Sequence, residues 1–96
     1  MKSLLPKNVY QRNAEIYKIM ANPKRLEILN LLREKKCSVD ELTKIIGTRK
    51  ANTSQHLAVL RSYRLVQAER RGLQVIYSII DPRIVEPCRI LKSIFS

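Results

Sequence analysis

Residues 43–60 read T-K-I-I-G-T-R-K-A-N-T-S-Q-H-L-A-V-L, and the fold is decided in this stretch. Its apolar positions up to Ile46 fit the end of a short helix. Gly47 is a break, because a helix most often ends on a residue in the left-handed region, where glycine meets no side-chain penalty. A second helix follows from about Arg49 to Ser62, with Leu57 and Leu60 as its clearest core contacts. Its early turns carry Arg49, Lys50, Asn52, Ser54 and Gln55, all cationic or hydrogen-bonding side chains. Further on, Arg70-Arg71-Gly72 separates two segments, 65–71 and 73–79. Val75, Tyr77 and Ile79 alternate in the second segment, as a half-buried strand requires, and Gly72 supplies the backbone freedom of a tight hairpin turn.

Outward from this unit, the N-terminal half reads as three helices. Val9, Ile16, Ile19 and Met20, with Tyr17 beside them, mark a first helix over about residues 8–20. Asn22-Pro23 opens a second, Asn as the cap and Pro at the first helical position, and its wide apolar face runs from Leu26 through Leu32 to an end near Glu34. Ser38-Val39-Asp40-Glu41 is a capping box that starts a third helix, with Leu42, Ile45 and Ile46 expected to face inward. After the hairpin, Asp81-Pro82 repeats the cap-then-proline signal, and a last helix over about residues 82–95 carries Ile84, Val85, Cys88, Leu91, Ile94 and Phe95. The expected order is α-α-α-α-β-β-α in one domain, residues 1–96, mostly helical with a small β-hairpin. That is the layout of a winged helix-turn-helix, in which the second helix of the motif enters a DNA groove and the hairpin grips the backbone beside it.

Charge agrees with that layout. Nineteen Lys and Arg stand against eight Asp and Glu, a formal net charge of +11. Between residues 49 and 74, Arg49, Lys50, Arg61, Arg64, Arg70 and Arg71 face Glu69 alone, whereas from 75 to 96 three basic residues face two acidic ones. The positive field peaks on the reading unit, so a polyanion, double-stranded DNA, is the expected partner. No apolar run approaches the ~20 residues of a membrane span. Met1-Lys2-Ser3-Leu4-Leu5-Pro6 lacks the apolar core of a signal peptide, so a cytoplasmic protein is expected. The first and last helices carry more large apolar side chains than a core this small absorbs, which favours a homodimer joined through them.

Four segments in order, A-N-P-K-R-L-E-I-L-N-L-L, S-V-D-E-L, S-Q-H-L-A-V-L-R and R-R-G-L-Q-V-I-Y-S-I, resemble the ArsR/SmtB family of repressors, and the similarity spans about residues 15–95. The resemblance implies a winged helix-turn-helix homodimer, with the first and last helices at the interface, that binds an inverted repeat and blocks transcription. Many members sense metals through a cysteine pair at the start of the third helix; those positions match Ser38 and Asp40 here. A second family site uses Asp and His in the last helix. Asp81 matches the first ligand, but Arg83 stands where His is needed, so no metal and no cofactor is expected. The thiol-sensing members place cysteines where this chain has Asn30 and Ser96. The resemblance therefore points to the metal-site-lacking, PagR-like branch. Cys37 and Cys88 read as small packed side chains, with a redox-sensitive disulfide between symmetry-related Cys88 residues as the alternative.

The site expected from these readings comprises Arg49, Lys50, Asn52, Ser54, Gln55, Arg70, Arg71 and Gln74. Lys50 can donate to guanine, while Asn52 and Gln55 have the paired donor and acceptor that fit adenine. Arg70, Arg71 and Gln74 suit the phosphate backbone or the minor groove. His56, the single histidine, reads as a structural hydrogen-bonder facing the core. Thr53 falls where the family places a small apolar residue and is expected to be partly buried. Arg49 replaces the family's capping Ser, so Thr48 is expected to cap the helix one residue early. Arg64 replaces a Gly, so either it is left-handed or the helix ends differently. One His, no acid pair at a recognisable spacing and no phosphate-cradling Gly loop argue against an enzyme. A non-specific DNA-coating protein and a winged-helix protein-interaction module are the other readings left open.

Overall fold

The computed structural model describes residues 1–96. Helix α1 spans Lys7–Met20, α2 Pro23–Glu34, α3 Val39–Ile46 and α4 Lys50–Ser62. Strand β1 is Cys37–Ser38, β2 Val66–Arg71 and β3 Gln74–Ile79; a 3-10 turn, Pro82–Val85, then leads into helix α5, Glu86–Phe95. The expected helices and hairpin are all present, with two additions. The short β1 pairs antiparallel with β3, placing Cys37 opposite Tyr77 and Ser38 opposite Ile76, so the hairpin is part of a three-stranded sheet ordered β1-β3-β2. The last helix begins as the 3-10 turn, with Asp81 accepting from the Arg83 amide at 2.9 Å.

Local chemistry sets the boundaries. Asn22 Oδ1 accepts from the Arg25 amide at 3.1 Å and opens α2. The Ser38 and Glu41 side chains satisfy each other's backbone amides, a complete capping box at α3. Gly47 closes α3 at φ 67°, and Lys24 Nζ donates to the Ile46 carbonyl at the end of the helix at 2.9 Å. Arg64 takes the left-handed option, at φ 59°. The Leu65 amide reaches back to the Leu60 carbonyl and the Arg64 amide to that of Arg61, the paired bonds of a Schellman cap. Leu60 and Leu65 are both buried beneath it.

A single apolar cluster joins α1, α2, β1, α3, α4, β2 and the 3-10 turn, with Ile28, Leu29, Leu42, Leu57, Leu60, Val66 and Val85 fully enclosed. Ile45 departs from expectation: it is 52% exposed on the outer side of α3. Leu42 and Ile46, one turn apart, already fill the inward face of that eight-residue helix. Helix α5 buries no residue and leaves Ile90, Leu91, Ile94 and Phe95 exposed, while α1 exposes Tyr10 and Tyr17. The Cα radius of gyration is 14.8 Å, against about 13 Å for a compact domain of 100 residues.

Candidate nucleic-acid interface

The pattern of α4 separates a core face from an outer face. Thr53, Leu57 and Leu60 are buried, so Ala51, Gln55, Ala58 and Ser62, at spacings of four and three, lie along the opposite side, flanked by Asn52 and Ser54. All six are exposed. Ala58, which residue type alone did not point to, lies on this outer face by its helical spacing from Gln55. Two alanines beside one glutamine leave room for close approach to base edges, and an alanine methyl suits the thymine methyl.

The angle of α4 is fixed by polar contacts at its inner side. Thr53 is fully buried, not partly, and accepts a hydrogen bond from the Thr43 hydroxyl of α3 at 2.9 Å. Its own hydroxyl donates to the Arg49 carbonyl at 3.4 Å. Arg49 is the helix N-cap and no side chain caps it, so Thr48 does not do so; the Thr48 hydroxyl instead accepts from Asn52 Nδ2 at 3.3 Å. His56 is half-buried and, as expected, a structural hydrogen-bonder. Arg25 Nε donates to its Nδ1 at 3.1 Å, and the same guanidinium donates to the Ile19 carbonyl of α1 at 3.2 Å. Burial first, then the charges of Arg25 and Lys24, hold the His56 pKa below its ordinary 6.5.

The cations differ in availability. Lys50 Nζ lies 3.0 Å from Asp40 Oδ1, and Arg71 NH2 lies 3.3 Å from Glu69 Oε2. Arg49 and Arg70 have no ion-pair partner. Register places Arg70 opposite Val75 and Arg71 opposite Gln74, so the two arginines project from opposite faces of the ribbon. Gly72, at φ 62°, and Leu73 form the two-residue turn between Arg71 and Gln74. A shallow cleft lined by Ser38, Asp40, Lys50, Leu73, Gln74 and Val75 joins the wing to the start of α4, so of the expected residues it brings Lys50 and Gln74 together.

The cysteines lie apart from that surface. Cys37 is 1% exposed, and burial pushes its thiol pKa up, which disfavours the thiolate that oxidation requires. Cys88 is half-exposed on α5, and both thiols are free. Asp81 is held by the Arg83 guanidinium at 2.7 Å, which with the Arg83 amide lowers its carboxyl to about 2. No three His, Cys, Asp or Glu side chains gather in one place. No helix is long and apolar enough to cross a membrane.

Residues 22–68 match the model of the bacterial regulatory protein, arsR family. The HTH-type regulator Rv0081 of Mycobacterium tuberculosis H37Rv is 39% identical over 89 residues, covering 92% of this chain and 78% of its own. The chain belongs to the arsR family. Its crystal structure places Rv0081 at a TM-score of 0.78 over 90% of this chain and 87% of the solved one. The transcriptional repressor PagR of Bacillus anthracis is 34% identical over 83 residues, 85% of this chain and 83% of PagR. Mb0332 of Mycobacterium bovis, described as a homodimeric winged helix-turn-helix DNA-binding domain, superposes with a TM-score of 0.78 at 26% identity, over 97% of this chain and 86% of that one. The family consists of transcriptional regulators rather than enzymes, and this member is a DNA-binding regulator with a winged helix-turn-helix fold.

Proposed function

We propose that the chain is a repressor that binds an inverted-repeat operator as a homodimer and works without a bound metal, in the cytoplasm where its DNA is. The observation that carries the specific reading is the outer face of α4. There Gln55 stands between Ala51 and Ala58, with Asn52 and Ser54 at its flanks, the unpaired cation Arg49 at the helix start and the unpaired Arg70 on the wing. In this reading Gln55 and Asn52 contact bases. Arg49, Lys50, Ser54, Arg70, Arg71 and Gln74 hold phosphates and sugar, which fixes register without reading sequence.

Support for the dimer comes from α1 and α5, whose exposed Tyr17, Ile90, Leu91, Ile94 and Phe95 exceed what a monomer leaves uncovered. A two-fold pair presents two copies of α4 to half-sites one helical turn apart, about 34–36 Å, or a multiple of it. Repression is the activity named for PagR.

The test is selection of bound duplexes from a random pool, followed by titration against a scrambled duplex across a salt series. An inverted repeat bound at least about 10³-fold more tightly than the scrambled duplex is expected. Equal affinities would instead identify a DNA-coating protein, a role that the net charge of +11 also suits.

A further inference from the structure

Leu73 is 98% exposed at the tip of the wing. Val75, also exposed, lies two residues further on and lines the same cleft, but it is 37% exposed, so Leu73 is the most exposed apolar side chain of the wing. It shares a two-residue turn with Gly72 and follows the Arg70-Arg71 pair. Register places one arginine on each face of the ribbon. An apolar knob with a cation on either side matches the section of a minor groove, a narrow slot between two rows of phosphates.

The ribbon is also stiff enough to push. Six residue pairs run from Val66 with Ile79 to Arg71 with Gln74, and β1 braces β3 from the other side at Ile76 and Tyr77. A wedge needs such backing, because separating stacked base pairs resists it.

We infer that Leu73 is a minor-groove wedge, inserted at a base step beside each half-site, so that the protein bends the DNA it binds. This rests on the DNA-binding reading above. Flexible pyrimidine–purine steps unstack most easily, so such a step is expected where the wing lands, beyond the bases reached by α4. Arg70 and Arg71 then hold the two backbones while the leucine enters between them.

The experiment uses the full chain with a duplex selected by it, end-labelled for energy transfer and carrying 2-aminopurine at the step under the wing. On binding, the parent chain is expected to bend the duplex by at least about 20° and to raise 2-aminopurine fluorescence. Leu73→Ala is expected to remove both signals and weaken binding roughly tenfold while leaving the salt slope unchanged. Leu73 is 98% exposed, so unchanged circular dichroism is expected for the variant. If the parent binds the selected duplex without bending it, or Leu73→Ala bends it equally, the wedge is overturned and DNA binding stands. If the parent binds no duplex at low salt, both ideas fail.

Discussion

Lys50 Nζ and Asp40 Oδ1 lie 3.0 Å apart, so a cation expected to face DNA is already engaged by the first turn of α3. Both side chains are largely exposed, at 65% and 64%. Such a pair is worth little to folding and yields readily to a phosphate. Asp40→Asn is therefore expected to tighten DNA binding roughly two- to fivefold at low salt. Loss of a carboxylate from the positive end of α3 is expected to cost about half a kcal/mol of stability. Anisotropy titrations and urea melts of parent and variant check both; unchanged or weaker binding rejects the competition.

Arg70 and Arg71 are neighbours in sequence but unlike in setting. Arg70 has no carboxylate partner, whereas Arg71 shares Glu69. Arg70→Ala is expected to lower the slope of log K against log salt by about 1, with a smaller drop for Arg71→Ala. Equal slopes for both variants and the parent would show that the wing makes no phosphate contact.

The Thr43–Thr53 bond fixes one helix of the motif on the other. Thr53→Val keeps the shape and removes the acceptor of a 2.9 Å bond at a fully buried position. A loss of about 1 kcal/mol is expected, lowering Tm by about 4–8 °C at fixed protein concentration. Thr43→Val combined with Thr53→Val should be less destabilised than the sum of the single changes, because the two hydroxyls act on each other.

His56 gives stability a defined pH dependence. Its Nδ1 accepts from Arg25 and must be unprotonated to do so, and its folded pKa lies below 6.5. Above about 6.5 the imidazole is neutral in both states and its contribution is complete. As pH falls from there toward the lower folded value, the unfolded chain takes up the proton first, and stability is lost over that window. Urea midpoints between pH 5 and 7.5 are expected to fall with pH in the parent and to lose that component in His56→Gln.

Arg64 is the one non-glycine residue at positive φ. Glycine there relieves roughly 1 kcal/mol of left-handed strain, part of which returns as chain entropy in the unfolded state. Arg64→Gly is expected to raise Tm by a few degrees, with no gain for Arg64→Ala. A fall in Tm for the glycine variant would contradict the strain.

Features written in neighbouring residues were legible in the sequence. The capping box at Ser38 and Glu41 and the cap at Asn22 span only three positions, and the left-handed Gly47 depends on that residue alone. The absent glycine before the first wing strand pointed to Arg64. Strand β1 gave no signal, because two residues gain their state only by pairing with β3 some forty positions away. The exposure of Ile45 escaped for a related reason: three apolar residues in a two-turn helix fit more than one inward face. At the site, residue types and their order were readable, but not which cations are already paired. Lys50 and Asp40 meet only because the turn folds α4 back against the start of α3. The division of Arg70 and Arg71 between two faces follows from strand alternation once the register is known.

One guanidinium, that of Arg25, touches the Ile19 carbonyl of α1 and the imidazole of α4 at once. The helix expected to meet a second copy and the helix expected to read the operator thus share a single rigid strut. Any torque on α1 reaches α4 without an intervening domain. By reciprocity, if pairing of subunits changes operator affinity through this contact, operator binding changes the affinity of one subunit for the other by the same factor.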